Sequence, residues 1–227
     1  MPSAAPRSRR TKLPTPELAP KLRPAQTRAA ETYEHLLDVT AQILTEVGFE
    51  RLSTNLVCER AGLSPPALYR YFPNKYALLH ELGRRLMERQ NALIPRWLTP
   101  AVFRGSAGEL ERALAGLLLE TYQVTQETKG GMWILRALRA VPALQDVRLA
   151  SAREVTAQTT QRLGLVFPHI DIAQLALISR VADGTAYAAL EMLFDDPSLD
   201  PPAVMAIVAA TLTSYFERLS ATPANKR

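Results

Sequence analysis

Residues 61–76 read AGLSPPALYRYFPNKY, and the prolines inside this stretch constrain the fold more than any other feature of the chain. A helix neither enters through Pro65-Pro66 nor continues past Pro73, so the segment between them is restricted to a short helix. Ser64 is a good N-cap, and Pro65 falls where a missing N–H costs nothing. Pro66 lies in the same first turn, so the Ser64 hydroxyl is expected to cap the N–H of Ala67. Gly62 supplies the turn before it. Upstream, Ser53 or Thr54 can cap a helix through Arg60, with Leu56, Val57 and Ala61 at inward spacing. Tyr33, Leu36, Leu37, Thr40, Leu44 and Val47 mark one face of a longer helix ending at Gly48. Two short helices joined by a Gly-containing turn are how a helix-turn-helix protein presents a recognition helix to DNA. The same spacing also serves an ordinary helical hairpin.

The 227 residues suffice for one large or two small domains. Helix formers dominate and no alternating strand pattern persists, which predicts an all-α fold. The single cysteine, Cys58, excludes an intramolecular disulfide, and its apolar neighbours suit an inert core thiol better than a redox sensor. No secretory signal follows the basic start, and the longest nearly uncharged stretch, Pro201 to Phe216, is shorter than the roughly 20 residues of a membrane span. A cytoplasmic protein without membrane partners is expected. The net charge of +5 is carried by residues 1–25, where Arg7, Arg9, Arg10, Lys12, Lys21 and Arg23 face only Glu17. Six prolines keep this arm from forming a regular helix. Such an arm can follow phosphates or enter a minor groove, or it can simply aid solubility.

Residues 28–80 resemble the DNA-binding domain of the TetR family of bacterial transcriptional regulators. The resemblance rests on Leu36-Leu37, Glu46-Val47-Gly48-Phe49, Ser53-Thr54, Ala61-Gly62-Leu63-Ser64, Leu68-Tyr69, Tyr71-Phe72, Lys75 and Leu78-Leu79. It covers about a quarter of the chain. Thr40 and Cys58 stand where the family usually has alanine, and Pro65-Pro66-Ala67 replaces a more polar or glycine-containing stretch. The family implies an N-terminal three-helix helix-turn-helix domain followed by a helical domain for ligand binding and dimerisation. The expected division is a basic Pro-rich arm at 1–25, a reader at 26–90 and a regulatory part at 91–227.

Carried over position by position, the resemblance implies DNA contact by Ser53, Thr54 and Asn55, by Pro65, Pro66 and Ala67, by Tyr69, Arg70 and Tyr71, and by Lys75. Asn and Arg can pair bidentately with adenine and guanine, whereas Tyr and Lys usually bond phosphates. Pro65, Pro66 and Ala67 offer only apolar contact. Leu68 and Phe72, four apart, are expected to hold the recognition helix on its core.

Downstream, helices are predicted from Lys75 to about Gln90, from about Gly108 to before Gly130, from Met132 to Ala140, from Leu144 to Leu163, from Asp171 to Phe194 and from Pro201 onward. Pro95 and Pro100 interrupt the chain near Trp97. Between Asp171 and Phe194 a stripe of small residues that includes Ala182, Ala186 and Ala189 would let another helix approach. Ile207, Val208, Thr211, Leu212, Tyr215 and Phe216 form a wide apolar face on the last helix. Paired across a two-fold axis, the two faces would build a four-helix homodimer interface; each could equally pack within one subunit.

A ligand pocket is expected among Trp97, Phe103, Tyr122, Trp133 and Tyr187, with Arg136, Arg139 or Asp183 as a polar anchor; these aromatics also suit a plain core. The arginines point to an anionic or carbonyl-bearing effector. His35, His80 and His169 are scattered, no metal-ligand spacing or phosphate-cradling glycine loop occurs, and no cofactor, metal site or catalytic residue is expected. The expected function is a sequence-specific regulator that binds a near-palindromic double-stranded operator as a homodimer, a repressor released by a small-molecule effector. Two alternatives are an architectural DNA-binding dimer that senses nothing, and a protein-interaction module that no longer reads DNA.

Overall fold

A computed structural model of the chain describes residues 16–22 and 27–220, the side chains of 27, 219 and 220 excepted. Residues 1–15 of the basic arm and 23–26 lie outside the described part. Among the described residues the regular secondary structure is all helical. The long α1 (Thr27–Arg51) is broken at Gly48, whose φ of 72° is the left-handed geometry that glycine adopts readily, so the predicted helix end is a kink followed by a further turn. It is followed by α2 (Thr54–Ala61), α3 (Pro65–Tyr71) and α4 (Lys75–Asn91). The predicted break near Trp97 holds two short helices, α5 (Ile94–Trp97) and α6 (Pro100–Arg104), each with a proline in its first turn. Then come α7 (Ala107–Glu127), α8 (Gly131–Ala140), α9 (Gln145–Val166), α10 (Ile172–Asp195) and α11 (Pro201–Ser220).

Sequence chemistry sets the ends of these helices. The capping box of α7 pairs the Ser106 hydroxyl with the Glu109 N–H while the Glu109 carboxylate accepts from the Ser106 N–H at 2.7 Å. Those bonds hold the Glu109 carboxyl below its usual pKa. The weak periodicity of α9 has a physical cause: its buried face is partly polar, with Ser151, Thr159 and Thr160 beside Val147, Ala152 and Leu163. The helix runs through Gly164 to Val166, beyond its predicted end.

Two hydrophobic cores result. One gathers Leu36, Leu44, Val57, Leu68, Phe72, Leu78 and Leu86 from the first four helices, and it also takes in Ile134, Leu135 and Leu138 of α8 and Leu144. The other joins Leu93, Leu98, Leu114, Leu118, Leu163, Leu175, Leu190 and Phe216 from α5 onward. Within it α7 lies along α11 and α9 along α10. Packing therefore crosses residue 90, because α8 belongs to the core of the first four helices. No helix among the described residues is long and apolar enough to cross a membrane.

The start of α8 presses on α1. Gly130 has φ 69°, and a Cβ there would stand 2.9 Å from the Ala41 carbonyl oxygen. Lys129 pairs with Asp38, and the Trp133 ring lies 3.6 Å from where a Gly48 Cβ would be. Substituting Gly130→Ala is expected to cost about 1–2 kcal/mol for the left-handed backbone and more for the clash. Gly108→Ala, in the first turn of α7 with only ordinary contact to Arg112, should stabilise by up to about 1 kcal/mol. Urea denaturation of the two variants tests the contrast.

Candidate nucleic-acid interface and internal cavity

Gly62, in left-handed geometry with φ 64°, ends α2, and its N–H donates back to the Cys58 and Glu59 carbonyls. The chain turns and restarts at Ser64, which is extended. The expected hydroxyl cap is not made: the Ala67 N–H donates to the Ser64 backbone oxygen at 3.0 Å instead. With Pro65 and Pro66 lacking N–H groups, Ala67 carries the first donor of α3, and the nearby carbonyl satisfies it. At α2 the prediction of a Ser53 or Thr54 cap resolves to Ser53, whose oxygen accepts from the Leu56 N–H at 3.2 Å.

The seven residues of α3 divide cleanly between two faces. Leu68 and Tyr71 are buried, as is Phe72 just after the helix. The Tyr33 ring stacks on Phe72 at 4.7 Å and meets Tyr71 edge-on at 6.0 Å. Tyr71 is thus a core residue and not an outward phosphate contact: three positions after Leu68, it shares the inner face. Pro65, Pro66, Tyr69 and Arg70 are exposed and Ala67 is half-buried. Ser53 and Asn55 are exposed at the start of α2, and the Thr54 hydroxyl lies 3.1 Å from the Tyr69 hydroxyl, bridging the two helices. The outward surface therefore carries Ser53, Thr54, Asn55, Tyr69 and Arg70 beside the apolar start of α3.

Lys75 is committed inward. Its Nζ donates to the Leu52 carbonyl at 3.1 Å and sits 4.4 Å from the Phe49 ring centre, so it ties the α1–α2 turn to α4. A short strap, residues 16–22, crosses the far end of α3. The Lys21 N–H donates to the Tyr71 carbonyl at 2.8 Å, and the Asn74 amide donates to the Glu17 carbonyl at 2.9 Å while its oxygen caps α4. Sequence reading missed this strap, because its bonds use backbone groups that any residue supplies.

A second site lies inside the bundle. Residues from α4, α5, α7, α9, α10 and α11 line a mostly apolar cavity of about 100 Å³, among them Ile94, Leu114, Leu118 and Leu190 with Gln90, Asp183 and Tyr187. Of the expected pocket residues only Asp183 and Tyr187 line it. Trp97 donates its indole N–H to Glu120, Phe103 packs on Phe216 at 5.8 Å, and Tyr122 stacks on Phe194 at 5.0 Å. Trp133 packs toward the first core under the Arg136 guanidinium. Arg136 and Arg139 pair with Asp195 and Glu191 on another face. Each of these six has a neighbour that outcompetes the cavity for it.

Burial pushes the Asp183 carboxyl up to about 6, against the opposing pull of Arg180 and Arg148. Burial and the nearby Asp183 also push the Tyr187 hydroxyl upward, so it stays protonated. That hydroxyl donates to Gln90 Oε1 at 2.9 Å, and Gln90 Nε2 donates to Thr125 Oγ1 at 2.6 Å.

The expected dimer stripe also needs correction. Ala189 and Phe216 are buried, and Ala182 and Ala186 line the cavity, so these four pack within the subunit. Val208 and Leu212 are half-buried against the second core. The apolar surface facing outward is instead Leu177, Val181 and Met192 of α10 with Ile207 and Tyr215 of α11, beside Thr211. The α10 residues recur at helical spacing, on the side away from the small-residue stripe. A helix apolar on both sides was the signal available in the sequence.

A family model described as "Bacterial regulatory proteins, tetR family" matches residues 36–82, the segment that builds this two-faced reader. Residues 36–82 therefore match the TetR family. The class C tetracycline repressor protein of Escherichia coli is 39% identical over 54 residues, covering 24% of this chain and 25% of that protein. The transcriptional repressor KstR of Mycolicibacterium smegmatis is 38% identical over 66 residues, covering 29% and 32%. The chain thus spans about a quarter to a third of the length of these curated relatives. Similarity of fold extends further. A TetR-family regulator structure from Syntrophomonas wolfei superposes with a TM-score of 0.65 over 82% of this chain and 95% of that one, at 11% identity. A SmeT–triclosan complex gives 0.61 over 82% and 90%, at 18% identity.

Within this helix-turn-helix segment, the structure changes what Lys75 is expected to do. A charged hydrogen bond is worth about 1.5–3 kcal/mol, so Lys75→Ala should lower unfolding free energy by an amount of that order. Chemical denaturation in the absence of DNA reads it. Full stability in the variant would return Lys75 to the role of a purely external contact.

Proposed function

We propose that this TetR-family protein is a dimeric, sequence-specific DNA-binding regulator, a repressor released when a small molecule fills its internal cavity, and not an enzyme. The observation that carries the reading is a helix-turn-helix whose outward face holds Asn55, Tyr69 and Arg70, joined by packing to a mostly apolar cavity. The likeness to the tetracycline repressor and to the repressor KstR supports it, as does a structural neighbour complexed with triclosan. In this reading residues 26–90 read DNA, residues 91–227 sense and dimerise, and residues 16–22 of the basic segment 1–25 bond to the reader. The operator is double-stranded and near-palindromic.

The second copy covers the exposed face of α10 and α11. Leu177, Val181, Met192, Ile207 and Tyr215 are each at least 46% exposed in one subunit, and Leu177, Val181 and Tyr215 line one groove between α10 and α11; exposed apolar surface of this sort marks an interface. Coupling follows a short path. Tyr187 at the cavity bonds Gln90, and Gln90 bonds Thr125 near the end of α7. The turn after α7 is seated on α1 through Gly130 and Lys129. An effector that prefers the form with its reading heads wrongly spaced lowers DNA affinity by that difference in binding.

Selection of bound sites from a random duplex pool tests the reader. Arg70→Ala and Asn55→Ala should each relax particular base positions, worth about 1–3 kcal/mol per bidentate contact, whereas Tyr71→Phe, altering a buried ring, should leave the preference intact. An unchanged preference in both alanine variants places base reading elsewhere.

Assembly has its own test. Half-sites about 34–36 Å apart, or a multiple of that turn, are expected for a two-fold dimer. Val181→Glu or Ile207→Glu should shift the protein toward monomer in sedimentation and weaken operator binding at least tenfold. Retention of tight binding by a monomer would defeat the dimer assignment.

A further inference from the structure

The cavity wall has a directional chemistry. Its hydroxyls are mostly spent as donors on the protein itself: Thr121 donates to the Leu117 carbonyl at 2.7 Å, Ser179 to the Leu175 carbonyl at 2.9 Å, and Tyr187 to Gln90 at 2.9 Å. What these groups still offer a guest is oxygen lone pairs. Asp183 adds a carboxylate, its side chain only 8% exposed, of which Arg180 takes one oxygen at 3.1 Å. No lysine, arginine or histidine lines the cavity, and Arg136 and Arg139 are engaged with carboxylates on another face. The remaining donors, amide hydrogens of Gln90 and Asn91 and the Thr159 hydroxyl, are neutral. Elsewhere the wall is hydrocarbon from leucine, isoleucine, valine and alanine.

An anion entering such a space would lose its hydration and meet the Asp183 carboxylate, while the cations that act on that carboxylate, Arg180 and Arg148, are not part of the wall and are already drawn to Asp183, so its entry is unfavourable in a poorly solvated interior. A guest with an O–H or N–H group would meet acceptors already in place. The volume, about 100 Å³, is of the order of the roughly 150 Å³ apolar cavities that admit benzene.

We propose that the cavity selects compact, mostly apolar molecules that carry an O–H or N–H donor, uncharged or cationic, and rejects carboxylates and other anions. This rests on the cavity being the effector site, and it reverses the expectation drawn from the arginines in the sequence. Asp183 is the specificity-determining group, and Tyr187 with Gln90 connects the bound donor to the helices above.

Four probes on one skeleton decide it: toluene, benzyl alcohol, benzylamine and benzoate, titrated calorimetrically into the full chain without DNA. Benzyl alcohol and benzylamine should bind at least tenfold more tightly than toluene, with benzoate weakest. Asp183→Asn should reduce benzylamine affinity about tenfold and leave toluene unchanged, while Leu118→Trp, which fills the space, should weaken all three binders. Benzoate binding as tightly as benzyl alcohol would overturn the inference, as would toluene matching benzyl alcohol or an unaltered benzylamine affinity in Asp183→Asn. Operator release is measured separately: probes that bind in the expected order without loosening DNA would support the cavity assignment and defeat the effector step of the proposed function instead.

Discussion

The first four helices close their core with side chains from much later in the chain. Ile134 and Leu138 of α8 are almost fully buried among residues of α1 and α4. The contact is close enough that a Cβ on Gly83 of α4 would stand 2.6 Å from a Leu138 methyl. Interiors packed at this density transmit displacement instead of absorbing it. A reader that lacked α8 would expose the leucines of α1 and α4, so the element that completes its core is also the one that connects it to the cavity domain.

A buried acid reinforces the same junction. Glu81 on α4 is 2% exposed, and burial works against its charge, yet hydrogen bonds from Arg84 and Arg85 hold its carboxyl below the usual range. Arg85 continues to Glu34 of α1, at 2.6 Å, and Arg84 to Glu88. The result is a charged cluster between α1 and α4 whose members are satisfied jointly. Removing one arginine leaves a carboxylate in a poorly solvated place, which costs more than an exposed pair would.

The reader was legible in the sequence because its determinants are local. Prolines fix where α3 begins and ends, Gly62 and Gly48 mark left-handed positions, and Leu68 with Phe72 repeats at helical spacing. Tyr71 and Lys75 were misread where orientation and competition decide: an aromatic beside exposed residues turned inward, and an ammonium found a carbonyl in its own fold. The cavity was less legible. Its expected aromatics are drawn to Glu120, Phe194 and Phe216, partners distant in sequence, while the true wall is aliphatic and looks like any core stripe. The small residues of α10 face that wall, and the bulky ones on its other side are left outward.

The opening turn of α3 has one more consequence. A helix usually begins with four N–H groups that lack partners inside it, and their partial positive charge makes such ends seats for phosphate. Here Pro65 and Pro66 have none to give, and the N–H groups of Ala67 and Leu68 both point back to the Ser64 carbonyl. The end is electrostatically mute. A duplex resting on it meets pyrrolidine rings and a methyl group, so whatever this turn contributes to recognition is a matter of surface fit that displaces no counterions and leaves the salt dependence of binding untouched.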